Sequence, residues 1–345
     1  MLRIVRLAPS DAAGAARWDE FVHACPHATF FHRAGWQRVL GQVFRHETHF
    51  LYAEADGRIQ GVLPLARVRS WLFGDALVGL PFAVYGGVAA TGPQVALALE
   101  AEAQTLARRL GVDHLELRHT TRRHEDWPLQ DLYVTFRKSI LPDVNDNLLA
   151  IPRKQRAMVR KGMKNGLAST IDGDTGRFFA LYADNVHRHG TPALPIAYFE
   201  ALRREFGADC EILTITGPAG DALSSVMSFY FRDEVLPYYA GDDESARELA
   251  ANDFKYWELM RRACVRGIEV FDYGRSKQGT GSYAFKKNWG FEPQPLHYEF
   301  CLYKRDAVPQ NNPANAKYRF LIEAWRRLPI GLANRVGPLV VRSLG

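Results

Sequence analysis

A helix with an apolar stripe, followed by a strand, a glycine turn and a second strand, occurs twice in this chain. Trp36, Leu40 and Phe44 recur at every fourth residue, which puts them on one helical face. Tyr198, Leu202 and Phe206 repeat that spacing, and the shift that carries Trp36 onto Tyr198 also carries Leu51 onto Leu213. Alternating apolar residues then predict strands over Thr48–Glu54 and Ile59–Val68 around Asp56–Gly57 in the first copy. The second copy predicts strands over Glu211–Thr216 and Ala222–Phe231, with a turn from Gly217 to Asp221. A helix and a short apolar strand close each copy: Val95–Leu110 and Val112–Leu117, then Ala246–Arg266 and Ile268–Tyr273. From Gly111 to Gly267 the shift is shorter, which requires only a tighter loop in the second copy.

Such a pattern is mixed α/β (α+β), and 345 residues exceed what one hydrophobic core usually serves. Two domains are expected, 1–142 and 143–304, with the boundary near Leu141–Pro142 after the strand-like run Tyr133–Ile140. Residues 305–345 are expected to form a linker, Arg305–Ala316, and a basic amphipathic tail. Apolar residues at 47% and charged residues at 24% suit a folded soluble protein. Met1–Ser10 lacks the apolar core of a secretion signal. Ala76–Ala90, the longest weakly charged apolar stretch, is too short and glycine-rich to span a membrane and reads as buried strand. Cys25, Cys210, Cys264 and Cys301 lie far apart without CxxC pairs, so reduced thiols in a cytoplasmic protein are expected. His187, His189 and the other histidines lack metal-ligand spacing, and no metal is assigned.

The net charge of +6 is concentrated in two places. Arg153, Lys154, Arg156, Arg160, Lys161 and Lys164 occur without an intervening acid. Lys317, Arg319, Arg326, Arg327, Arg335 and Arg342 face a single acid, Glu323. Arg156 and Arg160, one turn apart, suit the phosphates of a nucleotide-linked precursor, a lipid or RNA; a solvated helix face explains them equally. The tail mixes aromatic, aliphatic and basic residues, fitting either peripheral contact with the inner face of a membrane through 317–345 or a helix docked on the second domain.

The densest polar group follows the last strand. Period two places Ile268, Val270 and Asp272 on one face, so a carboxylate ends an apolar row, where it is costly unless bonded or solvated. Gly274, Gly279 and Gly281 then allow close backbone approach around Arg275, Ser276 and Lys277, and Tyr283, Lys286 and Lys287 share a helical turn. A rigid surface loop with Asp272 paired to Arg275 is the structural alternative.

Phe271-Asp272-Tyr273-Gly274-Arg275-Ser276, Tyr283-x-Phe285-Lys286-x-x-Trp289-Gly290, the basic run from Lys154 to Gly166 and Phe31-His32-x-x-x-Trp36 together resemble the FemAB family, in particular its exosortase/PEP-CTERM-associated branch. The resemblance implies two tandem GNAT-like (acyl-CoA N-acyltransferase) domains with mixed, largely antiparallel sheets flanked by helices. It implies transfer of an acyl or aminoacyl group to an amine of a cell-envelope, peptidoglycan or exopolysaccharide precursor. Amide formation needs a neutral amine, an aligned attack and oxyanion stabilisation. Asp272 is the candidate for accepting or relaying the proton, and Lys286 and Tyr283 for donating to the oxyanion. Arg275 and Ser276 are candidates for holding an acceptor phosphate or carboxylate, with His32 and Trp36 lining a first-domain cleft; Trp36 fits the helix core as well.

No tightly bound cofactor is expected, and the donor is either acyl-CoA or aminoacyl-tRNA. Before the long helix the second copy reads Gly241-Asp242-Asp243-Glu244-Ser245-Ala246, whose acids repel phosphate, and the first reads Gly86–Gly92 without a leading basic or amide residue; both weigh against ordinary acetyl-CoA binding. The long helical arm of some tRNA-using relatives is missing from the pattern, which weighs against tRNA. Two other functions stay open: a GNAT-type enzyme using acyl-CoA on a small amine or amino acid, and a non-catalytic module that binds polysaccharide precursors or acts as a scaffold.

Overall fold

Hairpins with one apolar face need a partner layer, and each half of the chain supplies it with a long helix. The computed structural model describes residues 1–70, 74–309 and 322–343, which fall into two units. In the first, β1 (Arg3–Arg6) lies antiparallel to β2 (Glu47–Ala55). Between them come α1 (Ala12–Ala24), capped by the Asp11 carboxylate, and α2 (Gly35–Val39), which runs into a widened helical turn, Leu40–Phe44. Trp36, Leu40 and Phe44 are buried, as the stripe predicts. β2 pairs with β3 (Arg58–Ser70), and the two turn residues have φ of 50° at Asp56 and 75° at Gly57, the left-handed conformation of a tight hairpin. β4 (Gly74–Gly79) and β5 (Ala89–Ala90) pair with β3. Next, α3 (Pro93–Leu110) packs Ala96, Leu99, Ala103 and Leu106 inward, and β6 (His114–His119) returns parallel to β4. β7 (Leu129–Gln130) ends the sheet.

The second unit contains β8 (Tyr133–Ser139), α4 (Val144–Ala150), α5 (Arg153–Lys164), β9 (Ala168–Ile171), α6 (Gly176–Arg188), α7 (Ile196–Phe206), β10 (Cys210–Thr216), β11 (Ala222–Phe231) and β12 (Glu234–Asp242). It continues with α8 (Ala246–Leu249), α9 (Ala251–Val265), β13 (Val270–Asp272), β14 (Ser276–Lys277), α10 (Gly281–Asn288) and β15 (Pro293–Pro295). The expected helix Ala246–Arg266 is interrupted at Ala250, whose φ of 61° separates α8 from α9. Val226, Trp257, Phe271 and Trp289 meet in this unit's core.

β16 (His297–Leu302) pairs with β6 and β7, completing the first sheet. The orders β1-β2-β3-β4-β6-β16 and β9-β10-β11-β12-β13-β8 then match strand for strand, with one parallel pair in each, β4–β6 and β12–β13. Each sheet thus takes its last strand from outside its own repeat. A cut at 142 leaves β8 with the first repeat, although its hydrogen bonds go to β13 and β14; a second domain of 143–304 likewise includes β16. Open edges on β6 and β13 each need an antiparallel partner, and local sequence cannot say which strand supplies it.

The apolar run Ala76–Ala90 is strand only to Gly79 and again at Ala89. Residues 80–88 form a buried loop, with positive φ at Leu80 and Phe82. Parts of the expected linker and tail, 310–321 and 344–345, lie outside the described residues. The described chain ends with a helix, Ile330–Val341, packed on α6. No described helix is long and apolar enough to cross a membrane.

Candidate functional site

β12 and β13 run parallel but share only two rungs, Glu234 with Val270 and Val235 with Phe271. Pro237, two residues further along β12, has no N–H to continue the ladder. On its other side β12 slips register with β11: Met227 faces Tyr239 and Ser228 faces Pro237, leaving Tyr238 as an extra, bulged residue. The two parallel strands therefore part company, and Asp272 ends β13 immediately beyond the last shared rung.

Asp272 has no exposed surface. Its Oδ1 accepts from the Thr135 hydroxyl at 3.1 Å and the Gly274 N–H at 2.7 Å, and its Oδ2 accepts from the Arg137 guanidinium at 3.3 Å. Arg137 also bonds Glu234. Thr135 and Arg137 stand two apart on β8, hence on one face, and sequence reasoning missed them because β8 was assigned to the other half. Polar side chains at alternate positions in Tyr133–Ile140 were the available signal.

Beyond Asp272 the backbone turns at Gly274, with φ of 63°, and again at Gly279, with φ of 75°. The Thr280 side chain caps α10 by accepting from Tyr283 N, and α10 aims Lys286 back into the turn. Its ammonium donates to three backbone carbonyls, Tyr273 at 2.7 Å, Gly274 at 3.0 Å and Arg275 at 3.2 Å. Burial pushes the Lys286 pKa down to about 8; the Asp272 charge opposes that shift and Arg275 adds to it. The Tyr283 ring packs edge-on to Phe136 at 5.4 Å. Arg275 is exposed, with its guanidinium 4.6 Å from the Tyr133 ring centre. Ser276 is buried on β14, and its hydroxyl has no hydrogen-bond partner among the described residues.

Asp272, Arg275, Ser276, Tyr283 and Lys286 thus gather around one turn of the second unit. Arg156 and Arg160 lie on α5, which packs on α9. Arg156 donates to the Leu149 carbonyl at 2.7 Å, while Arg160 is exposed. Trp36 and His32 are core residues of the first unit. Trp36 is fully buried and donates to the Phe30 carbonyl at 3.2 Å. His32 accepts from Thr29 N at 3.0 Å through Nδ1 and donates to the Gly87 carbonyl at 3.0 Å through Nε2.

That last bond belongs to a device peculiar to the first unit. Where β6 runs past its three rungs with β4, the loop 80–88 lies against it, Gly86 N donating to Arg118 O at 3.1 Å. The Arg118 guanidinium holds the carbonyls of Leu80 and Ala83, and the Tyr298 hydroxyl holds that of Val84. Val88 N donates to His119 Nε2, and His119 is held by Glu299 at 2.8 Å. The first unit fills with its own backbone the space beside β6 that corresponds to the parted strands of the second.

Two carboxylates lie beside the N-terminal part of α9, Asp242 from the end of β12 and Asp253 in the helix's first turn. Asp242 accepts from the wholly buried Lys255 at 2.8 Å and from Ser224. Asp253 accepts from Trp289 Nε1 at 2.9 Å.

Residues 153–287 match the model of the acetyltransferase (GNAT) domain. No curated protein matches the chain. Among solved structures, the crystal structure of FemX is similar over 88% of this chain and 98% of its own, with a TM-score of 0.67 at 14% identity. L-PGS from Bacillus licheniformis is similar over 85% and 96%, with a TM-score of 0.54 at 11% identity. A tandem GNAT protein from the clavulanic acid biosynthesis pathway is similar over 89% and 100%, with a TM-score of 0.53 at 14% identity. With two sheets of one topology, each bearing its helices, the chain has the fold of two GNAT modules in tandem.

Proposed function

We propose that this chain is a Fem-like N-acyltransferase, forming an amide between an acyl or aminoacyl group and an amine of a cell-envelope, peptidoglycan or exopolysaccharide precursor. The observation that carries the reading is the Lys286 ammonium, buried at the turn where β12 and β13 separate and held there within the field of Asp272. In this reading the amine nitrogen attacks the donor carbonyl carbon, and its lone pair becomes the C–N bond. Lys286 exchanges its longest carbonyl bond, to Arg275, for the developing oxyanion, with Tyr283 beside it. Collapse of the oxyanion expels the donor's oxygen or sulfur, which takes up a proton. Asp272 is fully buried, so the proton lost by the amine reaches it by relay, for which the Thr135 hydroxyl is suited. Arg275 and Ser276 hold an acceptor phosphate or carboxylate, and Arg156 and Arg160 serve phosphates on the same unit. The likeness of the Phe271–Ser276 and Tyr283–Gly290 segments to the exosortase-associated branch is what directs the acceptor toward envelope or exopolysaccharide chemistry.

The carboxylates at the start of α9 favour an aminoacyl donor over acyl-CoA, because Asp242 and Asp253 occupy the neighbourhood in which a pyrophosphate would seek N–H groups. Offering acyl-CoA and aminoacyl-tRNA separately to the purified protein with an amine-bearing envelope precursor, and weighing the products by mass spectrometry, tests both statements. Amide product that disappears in Lys286→Ala is expected. Binding of the precursor without turnover of either donor would instead make the chain a non-catalytic binding module.

A further inference from the structure

The helix Ile330–Val341 is turned the unusual way round. Ala333, Gly337 and Val341, four apart, form its buried stripe, and a Cβ on Gly337 would stand 3.2 Å from the Ala193 carbonyl oxygen, so the helix sits close against the second unit on its smallest residues. Its large aliphatic side chains point away. Leu332, Val336 and Leu339 share the outward face, with Leu339 71% exposed and Leu332 47%, and Val340 is exposed at its margin. Packing against the protein therefore leaves unsatisfied the hydrophobic face that normally drives a surface helix inward.

The charge around that face has one sign. Arg326 and Arg327 precede the helix and Arg335 borders the apolar row; all three are exposed and none forms an ion pair among the described residues. No Asp or Glu occurs from Ala324 to Gly345. We infer that this helix is a docking surface for an anionic lipid leaflet, lying in the interface along its length of about 18 Å with Leu332, Val336 and Leu339 among the acyl chains and the arginines at the headgroups. A row of exposed aliphatic side chains with arginines beside it and no acid is what an anionic leaflet can engage. The aliphatic face lacks the aromatic anchors that dominate protein contacts, and two copies meeting there would oppose their own arginines. The inference is independent of the transfer chemistry.

Sedimentation of the full chain with vesicles tests it. Binding to phosphatidylglycerol-containing vesicles is expected, with much less on pure phosphatidylcholine and a decline as salt rises. The double variant Leu332→Ser/Leu339→Ser should weaken binding on the order of tenfold or more, and Arg326→Glu/Arg327→Glu/Arg335→Glu should abolish the preference for anionic lipid. Both variants should stay folded with nearly the wild-type melting temperature, since the changed side chains are exposed and only Arg326 gives up a bond, a 3.5 Å one to the His189 carbonyl. Failure of the wild type to bind anionic vesicles overturns the inference. So does a wild-type dimer in analytical ultracentrifugation that the Leu332→Ser/Leu339→Ser variant converts to monomer, which would assign the face to a second copy.

Discussion

A buried ammonium that donates all three of its protons to backbone carbonyls is both a strut and a titratable group, and Lys286 must be read as each. Its pKa of about 8 lies within an accessible range. If the ammonium stabilises the oxyanion, the rate should fall as pH rises through about 8, and Lys286→Arg, where it retains activity, should carry that limb to much higher pH. A profile that stays flat through this range would count against the role. The stability signature has the sign opposite to that of an exposed, ion-paired lysine. The folded chain releases this proton near 8 and the unfolded chain holds it to 10.5, so the unfolded state binds more protons between those values. The contribution of Lys286 to stability therefore rises with pH across that window, and urea titrations should show the rise disappear in Lys286→Met. Asp272 opposes the downward shift, so Asp272→Asn should move the alkaline limb below about 8. Arg137 keeps its bond to Glu234, but Lys286 loses its buried counter-charge and the Asp272 bonds are weakened, so that variant should also cost about 1–3 kcal/mol, measurable in urea. Sequence alone brought Asp272, Arg275, Ser276, Tyr283 and Lys286 to one turn, because glycines and polar residues follow a strand end there. It could not supply Thr135 and Arg137, whose proximity to Asp272 arises only when β8 pairs with β13.

Hairpins and long helices were legible as elements because periods of two and nearly four survive in the apolar residues. β11 occupies the predicted Ala222–Phe231, and β2 and β10 lie within a residue of expectation. Loop 80–88 was not legible, since an apolar run with glycines reads as strand until the groups that hold it are known. Those groups, His32, Arg118, His119 and Tyr298, come from three distant segments. The backbones of Gly79 and Gly86 cross so closely that a Cβ on Gly79 would stand 2.0 Å from the Gly86 carbonyl oxygen. Gly79→Ala should consequently force the loop off β6 and destabilise the first unit by about 1–3 kcal/mol or more. Hydrogen exchange read by mass spectrometry should show faster exchange over residues 80–88 and 114–119, with β10 to β12 unchanged. Unaltered protection in the loop would mean that the close crossing can be relieved by small shifts. With the first unit closed in this way, only the second keeps parted parallel strands, β12 and β13, which is where the proposed transfer chemistry is placed.

Two repeats read along a chain assign each element to the copy in which it lies, yet the sheets are completed by strands from outside those copies. β16 joins β6 through six registered pairs and brings Glu299, which holds His119 at 2.8 Å and accepts from the N–H groups of Arg123 and His124 at 3.0 and 2.7 Å. Tyr298 and Phe300 are buried on the same strand. Removing it would expose the edge of β6, strand Leu129–Gln130 would lose its partner, and three donors around Glu299 would lose their acceptor. A fragment of residues 1–132 should therefore show no cooperative thermal transition, despite containing a whole repeat with its hairpin and long helix. The same fragment joined through a flexible linker to residues 295–304 should regain one, because the missing strand is restored while the second GNAT module is still absent. Circular dichroism melts of the two fragments decide the matter. Cooperative unfolding of 1–132 alone would show that β16 decorates a sheet already stable without it, whereas recovery only on adding 295–304 would mean that the duplicated chain folds by exchanging its final strands.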